Sequence, residues 1–459
     1  MNPRSLRSLM MAAGLLLAAP ALAAPVPPAK LLADSTAVRS WSLDNGLQVT
    51  TRHIPGAMAV AITVGYSVGT DDDPAGMEGL AQVTGELAFM SAAGDIPTRS
   101  REELDSQRSL GWSFPVSRHT TLFTEIASVE QFPGVLSQVA TRMRGVQLTK
   151  QGLSDAVNHA RSELSDQLYG PPLGALYYQV REVAMGRKDE DILRRAAAKS
   201  LAKLSLAEAD AQIKRRFVPA NAALSLAGNL DNVDVPALIQ NLFGSIPAGT
   251  PFKHAASPAL KAGTRTMTVE GLKSTSGVVA VLAPALEDSL HPSFYLNAML
   301  LGSHFNHLWL RDQEGKVPNR HHYAIFDEPD LMRIFPIVDP ATTQVEALPR
   351  QIEGVLNTFS SLIVTSEPYE DLRANVLWLL GGPLGEDLLK RVPYEPTLLH
   401  TLARAQAGRA LRGGERFWAD YRQRFASEKP GNLGHWLAYF KDPRNQIALL
   451  MVPRRDAAR

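Results

Sequence analysis

The sequence predicts an α+β fold built from two tandem α/β-sandwich halves, each an antiparallel-rich sheet flanked by helices. Three observations predict it. Strands, helices and a closing apolar strand follow one another twice, over roughly 200 residues each time. A Pro-, Gly- and Ala-rich stretch, "PAGTPFKHAASPALKAG" at 247–263, separates the two runs. The chain has 459 residues, 45% hydrophobic and 20% charged, an ordinary globular composition with enough length for two large domains.

The boundaries follow: a signal peptide at 1–23, an N-terminal half at 24–248, a linker at 249–263 and a C-terminal half at 264–459. Arg4 and Arg7 form a basic start, "LMMAAGLLLAA" is an apolar run too short to span a membrane comfortably, and "ALA" at 21–23 offers a cleavage site. No later segment approaches the length of a membrane span, so none is expected after signal removal. The absence of cysteine removes disulfides, thiolate metal sites and lipid attachment at a signal-peptide cysteine, and fits export to a bacterial periplasm. Lys+Arg 47 against Asp+Glu 46 leaves a net charge of +1, which argues against nucleic acid as a partner. Asp71-Asp72-Asp73 before Pro74 reads as a solvated loop rather than a metal site.

In the first half, "SWSLDNGLQVTTRHI" (40–54) and "MAVAITVGYSVGT" (58–70) read as a hairpin, with Asn45-Gly46 supplying a turn. "GLAQVTGELAFM" (79–90) reads as a helix, because Leu80, Val83, Leu87 and Met90 recur at steps of three and four. A helix from Arg101 and two strands within 112–128 follow. "FPGVLSQVATRM" and "TKQGLSDAVNHARSELSDQLY" are helical again. "ALSLAGNL" (223–230) is a buried strand, and the half closes on a helix ending at Gly244. In the second half, strands at "TRTMTVEG" and "SGVVAVLAPA" precede a helix from about Phe294. Strands near "YAIF" and "LMRIFPIV", further helices and a last strand "QIALLMVP" complete it.

The 79–90 helix has an odd face. Gln82 and Glu86 project from the same side, one turn apart, with Gly85 between them, and a glycine there costs about 1 kcal/mol relative to alanine. These residues resemble the insulinase/pitrilysin family of zinc peptidases, the inverzincins, in their short exported form. "LDNGLQV" is similar to the family's opening strand. "GLAQVTGELAF" is similar to its helix G-L-A-H-x-x-E-H-x-x-F, and "PANAALSLAGNLD…LFGSIPAG" to the end of its N-terminal half. The resemblance implies that the two halves form one side of a clam-like chamber. It also implies zinc held by two histidines and a distant glutamate, with a further glutamate as general base.

In this chain the first ligand position is Gln82, the base position Gly85 and the second ligand position Glu86. The family spacing, counted onward from Glu86, lands on Glu163. An amide is a poor zinc ligand and a glycine takes no proton from water, so the resemblance implies a degenerate site without resident zinc. The alternative is a solvated helix face. His159 and Glu163 are also four apart, a spacing common by chance. "HFNH" (304–307) and "RHHY" (320–323) read as loop or helix-surface histidines.

The resemblance further implies a pair of residues in the second half that grip the substrate, in the pattern L-R-x-x-x-G-x-x-Y. Leu310, Arg311 and Gly315 match it, while the tyrosine, Tyr323, comes five residues late. The alternative is an arginine salt-bridged at a helix end and a tyrosine opening a strand. Peptides in this family add to a sheet edge. The matching segment "GWSFPVS" carries Pro115, which removes one N–H donor and puts peptide addition there in doubt. The function implied is that of a non-catalytic, periplasmic subunit forming a heterodimer with an active zinc-peptidase paralogue, which would hold the zinc and act on a peptide substrate. The alternative is a stand-alone peptide-binding or scaffold protein.

Overall fold

The computed structural model describes residues 37–169, 172–196, 199–255, 258–311, 320–336, 338–361, 366–429 and 432–454. The first sheet comprises β1 (Val38–Ser42), β2 (Gln48–His53), β3 (Ala59–Tyr66), β4 (Trp112–Ser113), β5 (Thr121–Ser128) and β6 (Ala222–Gly228). The second comprises β7 (Gly263–Val269), β8 (Ser276–Leu282), β9 (Arg320–Ala324), β10 (Glu328–Phe335) and β11 (Gln446–Pro453).

The strand orders are β1-β2-β6-β3-β5-β4 and β7-β11-β8-β10-β9. Setting aside the edge strand β1, the two orders correspond strand for strand. The closing strand pairs parallel with the first strand in each sheet, β6 with β2 and β11 with β7. It pairs antiparallel with the second, β6 with β3 and β11 with β8. The duplication expected from element order is therefore present in the pairing itself.

One expected pairing is corrected. The hairpin around Asn45-Gly46 joins β1 to β2, while β6 lies between β2 and β3. Gly46 takes φ +86, and the Asn45 amide donates to the carbonyls of Phe243 and Ile246, tying the turn to the end of the Val235–Phe243 helix. A turn signal fixes its own hairpin. It does not say which later strand inserts beside it.

All residues of β3 and β6 are buried, so both faces of that sheet are covered. One face packs on helices of the same half. The other is covered by the Pro396–Leu411 helix from the second half, where Leu399, Leu402 and Ala403 meet Ala59, Ala61, Ile126 and Ala227. Gly65 on β3 allows this approach, since a Cβ there would come within 2.8 Å of Leu411 and 2.7 Å of Leu122. The exchange is mutual. The Pro172–Ala184 helix of the first half lays Leu176, Val180 and Ala184 on Val278, Ala280, Ile447 and Leu449 of the second sheet. Buried polar contacts register the layers: the Gln406 amide donates to Ser225 Oγ (2.6 Å), and Arg181 forms a two-pronged pair with Asp330. The halves are thus interlocked by exchanged helices.

Candidate functional site

The degenerate positions lie on the Leu80–Met90 helix. Its N-cap is Gly79 (φ 95), which has no side chain to cap with. Asp73 supplies the cap instead: its carboxylate accepts the N–H of Gly79 (2.7 Å) and of Ala81 (2.8 Å). This satisfies two orphan donors and places negative charge at the positive end of the helix. The triplet Asp71–Asp73 is therefore not the solvated loop expected. Asp71 pairs with Arg118 at 2.5 Å, and Asp72 accepts the Gly69 N–H at 2.9 Å.

Every residue from Leu80 to Phe89 is buried, which excludes the solvated-face alternative. Gln82 is 3% exposed and Glu86 8% exposed. Both polar atoms of the Gln82 amide are buried and have no hydrogen-bond partner among the described residues. Glu86 is well partnered: its Oε1 lies 2.6 Å from His159 Nδ1 and 3.6 Å from Arg101 Nη2. His159 stands one turn before Glu163 on the Lys150–Tyr169 helix, which packs against the Leu80–Met90 helix. Its ring nitrogen goes to Glu86, a partnership that its i, i+4 relation to Glu163 does not disclose.

Glu163 itself is exposed, yet its carboxyl is pushed up to about 7. Desolvation by the surrounding protein is the first cause and the like charge of Glu86 the second, with Arg101 opposing both. Arg101 lies over the Phe114 ring (5.1 Å to the centroid), next to the stacked rings of Trp112 and Phe114 at the sheet edge. β4 is that edge strand and only two residues long, and Pro115 just beyond it uses its carbonyl to accept the Leu122 N–H.

The base position carries no base and is closely packed. A Cβ on Gly85 would lie 3.0 Å from Val116 Cγ2 and 3.4 Å from Thr121 Cγ2. The second is ordinary contact, and the first asks the Val116 side chain to give by a few tenths of an ångström. The donor set does not fit zinc in the family manner. One of its carboxylates is already held by an imidazole and faced by a guanidinium, and its other inward group is an amide.

Arg311 ends the His291–Arg311 helix, and its side chain lies outside the described residues, as do His304, His307 and Gly315. Tyr323 is half-buried on β9. Its hydroxyl donates to the Pro329 carbonyl and lies 2.8 Å from His291 Nε2, within the core of the second half. Burial pushes that phenol well up, and its hydroxyl is engaged by Pro329 and His291 within the chain. His321 and His322 are also not surface histidines: burial pushes both down to about 3, and His322 stacks edge-on against Tyr177 at 4.7 Å.

Residues 203–319 match the family described as the peptidase M16 inactive domain. An uncharacterized zinc protease of Mycobacterium leprae (strain TN) is 23% identical over 224 residues, 47% of this chain and 48% of that protein. The match thus spans about half the length of the relative. Among solved structures, a protease from Helicobacter pylori superposes with a TM-score of 0.70 at 16% identity, covering 91% of this chain and 99% of that one. The periplasmic protease PqqL from Escherichia coli gives 0.63 at 14% identity, covering 94% of this chain and 48% of PqqL. These likenesses show the fold, a two-sheet unit shared with those two proteases. In sequence, then, the chain is similar to M16 peptidases over residues 203–319 and to the mycobacterial relative over about half its length. Among the described residues, no helix is long and apolar enough to cross a membrane.

Proposed function

We propose that this chain is a non-catalytic, exported subunit that pairs with an active zinc-bearing paralogue and completes the partner's peptide-binding site from its second half. The observation that carries the reading is the base position, which holds a glycine. Gly85 stands against Val116 and Thr121, between an unpartnered Gln82 amide and a Glu86 already bound to His159. A site remodelled this far has lost its chemistry, while both sheets and their exchanged helices are intact. Pairing is supported by length: the chain covers nearly all of itself but only 48% of PqqL, so a chain of that size has room for two such units. Export to the periplasm rests on the basic start, short apolar run and "ALA" of residues 1–23, and on the absence of cysteine. Arg311 is the residue proposed to reach the substrate, because its planar fork can bond a peptide carbonyl or a developing oxyanion.

The test is reconstitution. Alone, the chain cleaves no unstructured peptide, and Gln82→His with Glu86→His does not change that while Gly85 leaves no base. Added to the active paralogue, it raises hydrolysis. Arg311→Ala lowers the rate about 10²–10³-fold while the complex stays assembled, and Tyr323→Phe leaves it unchanged. If the pair assembles and Arg311→Ala hydrolyses as fast as the unaltered chain, the second half contributes shape alone and the scaffold reading replaces this one. Chelator-sensitive cleavage by the isolated chain overturns both.

A further inference from the structure

We propose that Asp72, His119 and His254 form a site for one divalent transition-metal ion of the zinc class, made from residues other than the degenerate family positions. The three come from segments far apart in sequence. Asp72 ends the 3-10 turn Thr70–Asp72, His119 lies in the turn before β5, and His254 lies in the stretch that joins the halves. One ligand atom from each lies within 4.8 Å of the others. His254 Nδ1 is 2.8 Å from Asp72 Oδ1, and the two imidazole centroids are 4.9 Å apart. Bonds of about 2.0–2.1 Å to a tetrahedral ion put neighbouring ligand atoms roughly 3.3 Å apart, so small side-chain shifts close the set.

The surroundings orient each donor. Without an ion His254 Nδ1–H donates to Asp72 Oδ1, and Ser67 Oγ lies 2.7 Å from His254 Nε2; an ion taking the place of the Nδ1 proton turns both atoms into ligands, with Ser67 then accepting from Nε2–H. The Gly69 N–H occupies Asp72 Oδ2 at 2.9 Å, which leaves Oδ1 as the inward oxygen. His119 Nδ1 is buried and has no partner among the described residues, and the neighbouring Asp71 Oδ1 is in the same condition. A buried acceptor left unsatisfied is costly, and an ion removes that cost. His119 Nε2 lies 3.8 Å from Asp71 Oδ2, the second carboxylate beside the set. Arg118 neutralises Asp71, so Asp72 supplies the charge.

Two imidazoles and one carboxylate suit zinc, cobalt or iron and not calcium or magnesium, which take oxygen ligands. Three protein ligands leave a fourth position open. An ion bound here fastens the inter-half stretch to two turns of the first half. No motif signals it, because none of the three residues is near another in the chain.

The experiment uses the full chain without a polyhistidine tag, stripped with chelator. Zinc is titrated by calorimetry, and cobalt(II) by its visible absorption, which reports coordination geometry. The expected result is one ion per chain. His119→Gln and His254→Ala each weaken binding at least about tenfold, while Glu163→Gln leaves it unchanged. Circular dichroism of each variant confirms that it is folded, and two independent ligand positions guard against one variant failing to fold. Zinc also protects residues 249–263 from limited proteolysis in the unaltered chain and not in His254→Ala. Absence of binding overturns this proposal alone. Binding that survives both histidine variants but is lost in Glu163→Gln overturns it and the decayed-site reading together.

Discussion

Gln82→Met isolates what the degenerate site costs the fold. The Gln82 side chain is 3% exposed, and neither its Nε2 nor its Oε1 has a partner among the described residues. Removing an unpaired buried polar group relieves a penalty of about 1–3 kcal/mol per group, and an apolar residue of the same shape replaces it without a cavity. Methionine matches glutamine in length and branching and adapts to the space by its flexible thioether. Two such groups would give an upper figure near 6 kcal/mol. Relaxation of the neighbouring side chains takes part of this, so the expected gain is about 1–3 kcal/mol. For a cooperative unit of 150–250 residues that corresponds to roughly 2–4 °C per kcal/mol in melting temperature. Urea unfolding followed by tryptophan fluorescence, with Trp112 as the nearby reporter, measures the shift in midpoint. A fall in stability of 1 kcal/mol or more refutes the reasoning, because it requires the amide to be making bonds worth keeping.

Two further predictions concern charge. The Glu163 carboxyl is raised to about 7 from an ordinary 4.5, so folding disfavours its ionised form. That cost is absent below about pH 4.5, grows between 4.5 and 7 and is complete above 7. Glu163→Gln is accordingly more stable than the unaltered chain above pH 7 and equal to it below 4.5. Solvent reaches the side chain, which limits the difference to about 1 kcal/mol, and unfolding curves across that pH range measure it. Glu125 is buried between Arg99 (3.0 Å) and Arg108 (2.7 Å), so Glu125→Ala strands two guanidinium groups and costs about 3–5 kcal/mol in urea unfolding. A loss under 1 kcal/mol contradicts the pairing.

The sequence by itself determined what is local and periodic. The step of three and four along Leu80, Val83, Leu87 and Met90 fixed a helix. Asn45-Gly46 fixed a turn, and the apolar runs at β3, β6 and β11 fixed buried strands. The identity of Gln82, Gly85 and Glu86 was enough to show that the histidines and glutamate of the H-x-x-E-H pattern do not stand at those positions, since ligand type and base are properties of single residues. Only the tertiary structure decided what covers what. Periodicity reports that a face is buried but not by which segment. The Pro396–Leu411 helix on the first sheet, the Pro172–Ala184 helix on the second, and β6 between β2 and β3 were therefore invisible to it. The same limit hid the partnership of Glu86 with His159 and the approach of Val116 to Gly85. It also hid the meeting of Asp72 with His119 and His254, because each depends on distances between segments that no spacing along the chain records.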